Sequence, residues 1–236
     1  MDGWHTDEIE TDGLEAYLVN PARPNGSAVI FLHWFDEAPN ANRSQFLGEA
    51  TDLAQRGVTS LLPQLTFPWH APPSDIEDDL RRITGEMGRL RAACEHLAGM
   101  DGVEESRVVM VGHDFGAMHG MGIFEDIDLA GAVLIAPTAR WSDWFLRFWE
   151  IDADRWDYMR ALHVVDPVTT VSHARCPLLF QFGKEDFYVA AMTGLELFEA
   201  APEPKELKTY ECGHDMGLDL IRVDRTVFIE RVLDLP

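Results

Sequence analysis

The sequence predicts an α/β protein with a mostly parallel sheet of about eight strands and helices on both faces. Short runs of apolar and β-branched residues alternate with segments of helical periodicity along nearly the whole chain. This alternation is typical of right-handed crossovers between parallel strands. No linker, internal repeat or low-complexity tract interrupts the 236 residues. We therefore expect one domain over residues 1–236.

In the N-terminal half, the pattern begins with a hairpin and continues with buried strands. Asp12 and Gly13 form a turn pair between two extended runs, which predicts an antiparallel hairpin. Ser74 and Glu77 have the spacing of a capping box and predict the start of a long helix. The predicted strands cover residues 6–10, 14–20, 28–32 and 58–62, and the predicted helices cover 44–55 and 74–97.

In the C-terminal half, a long aromatic segment separates two of the predicted strands. The predicted strands cover residues 108–111, 129–136, 178–182 and 206–210, and the predicted helices cover 117–124, 190–199 and 218–233. Trp141, Trp144, Phe145 and Phe148 recur at i, i+3, i+4 and i+7, which predicts a helix with one buried face. That face either packs on the core or lines a substrate pocket. We expect a short helical lid over 138–174 and no large cap domain.

The run of apolar residues over 108–111 leads into the most informative motif of the chain. Gly112-His113-Asp114-Phe115-Gly116 follows that run and precedes a helical segment. This is the glycine-flanked pattern of a nucleophile elbow, in which a strand turns sharply into a helix. Serine commonly occupies the central position, and here it is Asp114. The alternative is a turn aspartate that accepts backbone N–H groups.

Two later loops supply the partners that an elbow nucleophile needs. Asp186 follows the predicted strand 178–182, and His214 follows the predicted strand 206–210. Loops at the carboxyl ends of parallel strands are where open α/β sheets place their sites. The order nucleophile, acid, histidine is that of α/β-hydrolases. Glu185 and Asp215 are rival carboxylates, and a helix cap is the alternative role for Asp186.

Through these motifs the chain resembles the α/β-hydrolase superfamily over nearly its whole length. In size and layout it is most similar to the dienelactone-hydrolase-like branch. Its elbow resembles that of haloalkane dehalogenases and epoxide hydrolases, whose nucleophile is an aspartate. The resemblance implies a catalytic triad of Asp114 as nucleophile, Asp186 as orienting acid and His214 as base. It implies neither a cofactor nor a metal.

The resemblance also implies where a leaving group or oxyanion would be stabilised. One donor would be the backbone N–H of Phe115, and a second that of Trp34 or Phe35. The sequence departs from the pattern here, because His33-Trp34 replaces the usual histidine-glycine and Phe115 stands where dehalogenases usually carry tryptophan. Further candidates to line the substrate are His33, Trp141, Trp144 and Tyr188.

An aspartate at the elbow changes the chemistry that we expect. Its side chain is already anionic at pH 7, because its ordinary pKa is about 4. Attack on a saturated carbon that bears a halide or an epoxide oxygen gives a stable alkyl ester, whereas attack on an acyl carbon gives a reactive anhydride. The first hypothesis is therefore a hydrolase that forms an alkyl-enzyme ester on a small, mostly apolar substrate. The alternatives are an esterase or lactonase in which Asp114 directs water, and a non-catalytic ligand-binding protein on a hydrolase scaffold.

The composition narrows the classes of partner. The formal net charge is −22, which makes nucleic acid and anionic membranes poor partners. We expect a small-molecule substrate and a monomer or homodimer. The acidic N-terminus does not resemble a signal peptide, and no apolar run approaches the roughly 20 residues of a membrane span. These features predict a cytoplasmic protein with reduced cysteines. The many acids and only 3 lysines are compatible with a halophilic source, or with a GC-rich genome.

Overall fold

Eight strands form one sheet in the computed structural model, which describes residues 3–11, 13–34, 42–66, 73 and 75–235. The strands are β1 Trp4–Thr11, β2 Leu14–Pro21, β3 Gly26–Leu32, β4 Thr59–Pro63, β5 Val103–His113, β6 Gly131–Ile135, β7 Leu178–Gly183 and β8 Lys205–Tyr210. Their order across the sheet is β1-β2-β4-β3-β5-β6-β7-β8. The pairs β1–β2 and β2–β4 are antiparallel, and all later pairs are parallel. The predicted fold class is confirmed.

Helices cover both faces of the sheet because the central strands are apolar on both sides. In β3, Ala28, Ile30 and Leu32 join the core on one face, whereas Val29 and Phe31 join the core on the other. The described helices are α1 Leu47–Ala54, α2 Ile76–Ala98, α3 Phe115–Met121, α4 Trp141–Phe148, α5 Arg155–Leu162, α6 Pro167–Thr170, α7 Ala191–Ala200 and α8 Asp219–Val232. Buried residues of α1 and α8 belong to one core, and those of α2, α3, α4, α5 and α7 to the other.

Two helix starts differ from the sequence prediction. The N-cap of α2 is Asp75, whose side chain accepts the Asp78 N–H at 2.8 Å. The prediction of a capping box at Ser74 was therefore wrong, and Ser74 itself lies outside the described residues. Asp and Ser cap helices equally well, so adjacent capping residues leave the start ambiguous in sequence. The helix predicted from residue 44 begins instead at Leu47, after a 3₁₀ turn over Asn42–Ser44.

The long aromatic segment folds into short helices, and the described residues form no large cap domain. Trp141, Trp144 and Phe145 of α4 are buried in the larger core, as their helical spacing predicts. Phe148, the fourth member of that series, is 38% exposed. Trp156 at the start of α5 is 71% exposed. No helix in the described ranges has an apolar stretch long enough to cross a bilayer.

Candidate active site

Asp114 occupies a sharp turn between β5 and α3. Its backbone has φ +52° and ψ −120°, a region that residues with a Cβ rarely adopt. The Asp114 N–H donates to the Ile135 carbonyl of the neighbouring strand at 2.8 Å, which holds the turn against the sheet. Such strain persists only where the surrounding structure enforces it, and it concentrates at functional sites.

The two glycines of the elbow are required by close backbone contacts. A Cβ at Gly116 would lie 2.5 Å from the carbonyl oxygens of Leu32 and His33. A Cβ at Gly112 would lie 2.6 Å from Cα of Ala117. Helix α3 can therefore pack this closely against β3 and β5 only when both positions lack a side chain.

The structure brings Asp114, Asp186 and His214 together. His214 Nδ1 donates to Asp186 Oδ2 at 2.8 Å, and His214 Nε2 lies 3.7 Å from Asp114 Oδ2. His214 is 9% exposed and Asp114 is 1% exposed. The rival carboxylates Glu185 and Asp215 are exposed. Of these three carboxylates, Asp186 is the one that holds Nδ1 of His214.

Asp186 also fixes its own loop. Its Oδ1 accepts the N–H groups of Tyr188 at 2.7 Å and Val189 at 2.9 Å. It is not a helix cap, since the N-cap of α7 is Ala190. The carboxylate is therefore held by two backbone donors on one oxygen, while the other oxygen orients His214.

The two carboxylates determine the protonation state of His214. Burial of the imidazole opposes its charged form, but the nearby charges of Asp114 and Asp186 and the hydrogen bond to Asp186 outweigh burial and raise its pKa to about 10. At neutral pH the resting site therefore holds an imidazolium between two acidic side chains.

A chain of directed hydrogen bonds joins Trp34 to His214. The Trp34 N–H donates to Gln45 Oε1 at 2.9 Å, and Gln45 Nε2 donates to His113 Nδ1 at 2.7 Å. His113 Nε2 donates to the His214 carbonyl at 2.9 Å. Because a carbonyl only accepts, the proton of His113 is on Nε2 and its Nδ1 is an acceptor. In this arrangement the Trp34 N–H is engaged by Gln45 instead of by a substrate oxygen.

Three further candidates from the sequence are the backbone donors Phe115 and Phe35 and the side chain of His33. Phe115 is the first residue of α3, directly after Asp114, as expected for a donor beside the nucleophile. Phe35 lies outside the described residues.

His33 is 1% exposed, its Nδ1 donates to the Trp34 carbonyl at 2.7 Å, and its Nε2 accepts the Leu65 N–H at 2.9 Å. Burial lowers its pKa to about 4. His33 thus holds the backbone as a neutral group, and both of its ring nitrogens are occupied.

Aromatic rings surround the imidazole of His214. The ring centroid of Trp34 lies 6.1 Å from that of His214, Trp144 lies 6.4 Å away and Tyr188 lies 5.2 Å away. Trp144 also meets the Phe115 ring edge-on at 5.2 Å. Its buried Nε1 has no hydrogen-bond partner in the described part of the chain.

Trp141 packs in the core beside the elbow helix. Its indole N–H donates to the Val165 carbonyl at 2.9 Å, and its ring packs on His119 at 4.7 Å and on Phe115 at 5.7 Å. It is fully buried in the larger core. Of the aromatic residues proposed from sequence to line a substrate, Trp144 and Tyr188 pack against His214, whereas Trp141 packs against Phe115 and His119.

Comparison with known proteins assigns the family. Residues 19–228 match the model of the Alpha/beta hydrolase family. The chain belongs to this family. No protein of curated function matches it in sequence.

Solved structures of other alpha/beta hydrolases and esterases share the fold at low sequence identity. A Thermus thermophilus protein is 18% identical with a TM-score of 0.74, and the match covers 99% of each chain. The esterase domain of a Rhodothermus marinus protein is 18% identical with a TM-score of 0.69, covering 98% of each chain. The thermophilic esterase Est2 of Thermogutta terrifontis is 16% identical with a TM-score of 0.69, covering 99% of this chain and 94% of that one.

The sequence did not identify Gln45 as part of this alpha/beta hydrolase site. It stands 68 positions before its partner His113, inside a segment that reads as an ordinary amphipathic helix. No local pattern distinguishes a glutamine that bridges two loops from one on a solvated helix face. Only the placement of the two loops at one end of the sheet reveals its contacts.

Proposed function

We propose that this alpha/beta hydrolase cleaves a small, mostly apolar substrate through a covalent alkyl ester on Asp114. The observation that carries the proposal is a carboxylate at the elbow, 3.7 Å from Nε2 of a histidine whose pKa the two neighbouring carboxylates raise to about 10. A protonated His214 cannot act as the base in the first step. An aspartate nucleophile does not need one, because it is already an anion.

In the first step, an oxygen of Asp114 attacks a saturated carbon of the substrate. The new bond is the ester C–O bond, and the bond that breaks joins the carbon to a halide or to an epoxide oxygen, which departs with the electron pair. The buried Trp144 N–H and the Phe115 N–H are the donors that we propose for the departing group. An epoxide oxygen would in addition take a proton, and the His214 imidazolium is the acid nearest to it.

In the second step, His214 becomes the base. Esterification removes the negative charge of Asp114, so the pKa of His214 falls. After halide displacement the imidazolium releases its proton to solvent, whereas after epoxide opening it has already given that proton to the substrate oxygen. The neutral Nε2 then takes a proton from water, whose oxygen attacks the ester carbonyl of Asp114. Asp186 holds the imidazole at Nδ1 and stabilises its charged form. Collapse of the intermediate expels the alkoxide, which takes the second proton of the attacking water and leaves as the alcohol, and the carboxylate that remains contains one oxygen from water.

Trapping the ester tests this reaction. In the His214→Gln variant the first step should proceed and the second should stop. After incubation with a panel of bromoalkanes, whose halide leaves without a proton, mass spectrometry should find the alkyl group on the peptide that contains Asp114. The exposed His173 provides the matched control, since His173→Gln should turn over substrate without accumulating ester.

A single turnover of the wild-type enzyme in heavy-oxygen water gives an independent result. Covalent catalysis places the heavy oxygen in the Asp114 carboxylate. Label in the product alone, together with no adduct in His214→Gln, would show that Asp114 is not the nucleophile.

Ester hydrolysis is the second candidate, with Asp114 directing water at an acyl carbon. Two observations favour it: structural neighbours described as esterases, and a fold without a large cap domain. It predicts turnover of short aryl esters, heavy oxygen only in the released acid, and no adduct on Asp114.

A further inference from the structure

A series of aromatic rings leads from the triad to the protein surface. We define the aromatic strip as Trp144, Phe148, Phe187 and Tyr188. Tyr188 lies 5.2 Å from His214, 5.3 Å from Trp144 and 6.0 Å from Phe148, as ring centroids. Phe187 continues the series 5.4 Å beyond Tyr188. The strip therefore connects the reacting groups to solvent without a gap.

Exposure rises along the aromatic strip from Trp144 to Phe187. Trp144 is 7% exposed, Phe148 38%, Tyr188 42% and Phe187 68%. Scattered exposed rings are ordinary, but contiguous exposed rings beside a site mark a surface that binds something apolar. These rings come from α4 and the loop 184–190, which flank the triad from two sides. A flat apolar body that enters the site would cover them.

The outer end of the aromatic strip is positively charged. The Arg147 guanidinium lies 5.4 Å above the Phe148 ring and 5.1 Å above the Phe187 ring, and it donates to the Tyr188 carbonyl at 3.1 Å. No carboxylate pairs with it in the described residues. Its charge is therefore available to a ligand.

We propose that the substrate is elongated, with a flat apolar body on the aromatic strip and an anionic group at Arg147. This inference rests on the proposed function for the position of the reacting carbon at Asp114. The anion fixes the orientation, because it would be repelled by Asp114 and Asp186 at the inner end and attracted by Arg147 at the outer end. The substrate class is thus an aryl or similarly flat compound with a carboxylate opposite its reactive carbon.

Equilibrium binding of two unreactive probes tests the substrate class without any chemistry. The probes are 4-ethylbenzoate and its uncharged counterpart 4-ethylbenzamide, titrated into the intact protein at one fixed ionic strength. In the wild type the benzoate should bind about threefold more tightly, the scale of one exposed ion pair. The Arg147→Gln variant should reduce the ratio to one or below, because only the net negative charge then acts on the anion.

Arg155 provides a matched control for loss of a positive charge. It is exposed, begins the next helix, and donates to a main-chain carbonyl, that of Leu146, at 3.2 Å. Arg155→Gln should therefore keep the wild-type ratio. Phe187→Ser should weaken both probes alike, by about two- to tenfold, because it removes a ring from under the apolar body.

The two proposals fail separately. A benzoate that binds no better than the amide in the wild type, or a preference that survives Arg147→Gln, would overturn the substrate class. The substrate class would stand if the ratios behave as expected while His214→Gln traps no ester from 4-(2-bromoethyl)benzoate. That second result would instead contradict covalent catalysis by Asp114.

Discussion

The charge on His214 is the residue-scale feature from which the proposed mechanism follows. A histidine in water is about half protonated near pH 6.5, and burial alone would lower that value. Here Asp114 and Asp186 reverse the effect and raise the pKa to about 10. In the proposed mechanism the same residue is therefore protonated before Asp114 is esterified and acts as a base afterwards. The covalent bond to Asp114 would switch His214 between the two states.

Removing the charge of Asp114 without changing its shape imitates esterification. We expect Asp114→Asn to lower the pKa of His214 by about 1 to 3 units, because one of two close carboxylates is lost. A two-dimensional NMR titration of the histidine ring nitrogens measures the shift. The wild-type imidazole should remain protonated through neutral pH and lose its proton near pH 10.

Asp215 is the control carboxylate for that titration. It is adjacent to His214 in sequence but exposed, so Asp215→Asn should leave the pKa of His214 within a few tenths of a unit. An unchanged pKa in Asp114→Asn would mean that Asp186 alone stabilises the protonated form of His214. His214 would then not change from an acid to a base when Asp114 is esterified, which would contradict the proposed mechanism.

Asp114, Asp186 and His214 could be identified from sequence, whereas Gln45 could not. Asp114 is marked by two glycines that close backbone contacts require, and Asp186 and His214 each follow a recognisable strand. Trp144 was named with three other candidates, but its unpartnered N–H and its contact with His214 depend on how α4 lies against the elbow. Patterns along the chain identify residues that shape the backbone, whereas partners across space need the fold.

At the scale of elements, Gln45 and His113 together join three loops at the carboxyl end of the sheet. The loop after β3 supplies Trp34, the elbow supplies His113, and the loop after β8 supplies the His214 carbonyl. Burial lowers the pKa of His113 well below its ordinary value, so this ring stays neutral and the direction of its bonds does not change. The position of the base thus depends on a glutamine that does not touch it.

Reversing one hydrogen bond tests this link. In Gln45→Glu the carboxylate can accept the Trp34 N–H but cannot donate to His113 Nδ1. His113 must then move its proton to Nδ1, which removes its bond to the His214 carbonyl. We expect kcat to fall about tenfold or more with little change in KM, because small displacements of a base cost rate more than binding.

Gln181→Glu is the matched control, measured by the same steady-state kinetics. Gln181 is fully buried on β7, and its Nε2 donates to the Tyr210 hydroxyl and the Ile221 carbonyl, both at 2.9 Å. The substitution should lower the melting temperature with a smaller effect on kcat. Equal losses of kcat in both variants would reduce the role of Gln45 to ordinary stability.

The ends of a helix could be predicted from sequence only where a single residue marks the boundary. Helix α2 ends where Gly99 predicts, but its start was ambiguous between two adjacent capping residues. In α4 the spacing predicted four buried aromatic rings, and three are buried. Periodicity describes which face a residue lies on, but not how far the covering core extends. Phe148 lies at the end of the helix, beyond that core, where its exposed ring is available to contact a ligand.

At the scale of the whole molecule, the net charge of −22 opposes the compact fold. Ion pairs such as Arg140–Glu196 and Arg225–Glu49 offset part of the repulsion. They cannot balance it, because 41 acids face 19 bases. Hairpin β1–β2 illustrates the excess, since Glu10 lies directly opposite Glu15.

Salt should therefore stabilise this protein. The screening length falls from about 10 Å at 0.1 M to about 3 Å at 1 M, so added NaCl weakens repulsion over the whole surface. Individual exposed ion pairs lose at most about 1 kcal/mol each. We expect the melting temperature to rise with NaCl, by about 2–4 °C for each kcal/mol of repulsion relieved. Calorimetry in NaCl and in KCl should give the same curve if screening is the cause.

The Glu10→Lys variant distinguishes charge repulsion from other effects of salt on the melting temperature. It adds two units to the net charge and replaces a like-charge pair opposite Glu15 with an attractive one. Its melting temperature should exceed that of the wild type at 0.05 M salt, and the difference should shrink at 1 M because both proteins are then screened. A difference that persists at 1 M would indicate a local effect of the hairpin. A wild-type melting temperature that falls with salt would show that ion pairs, and not the excess of acids, control the stability.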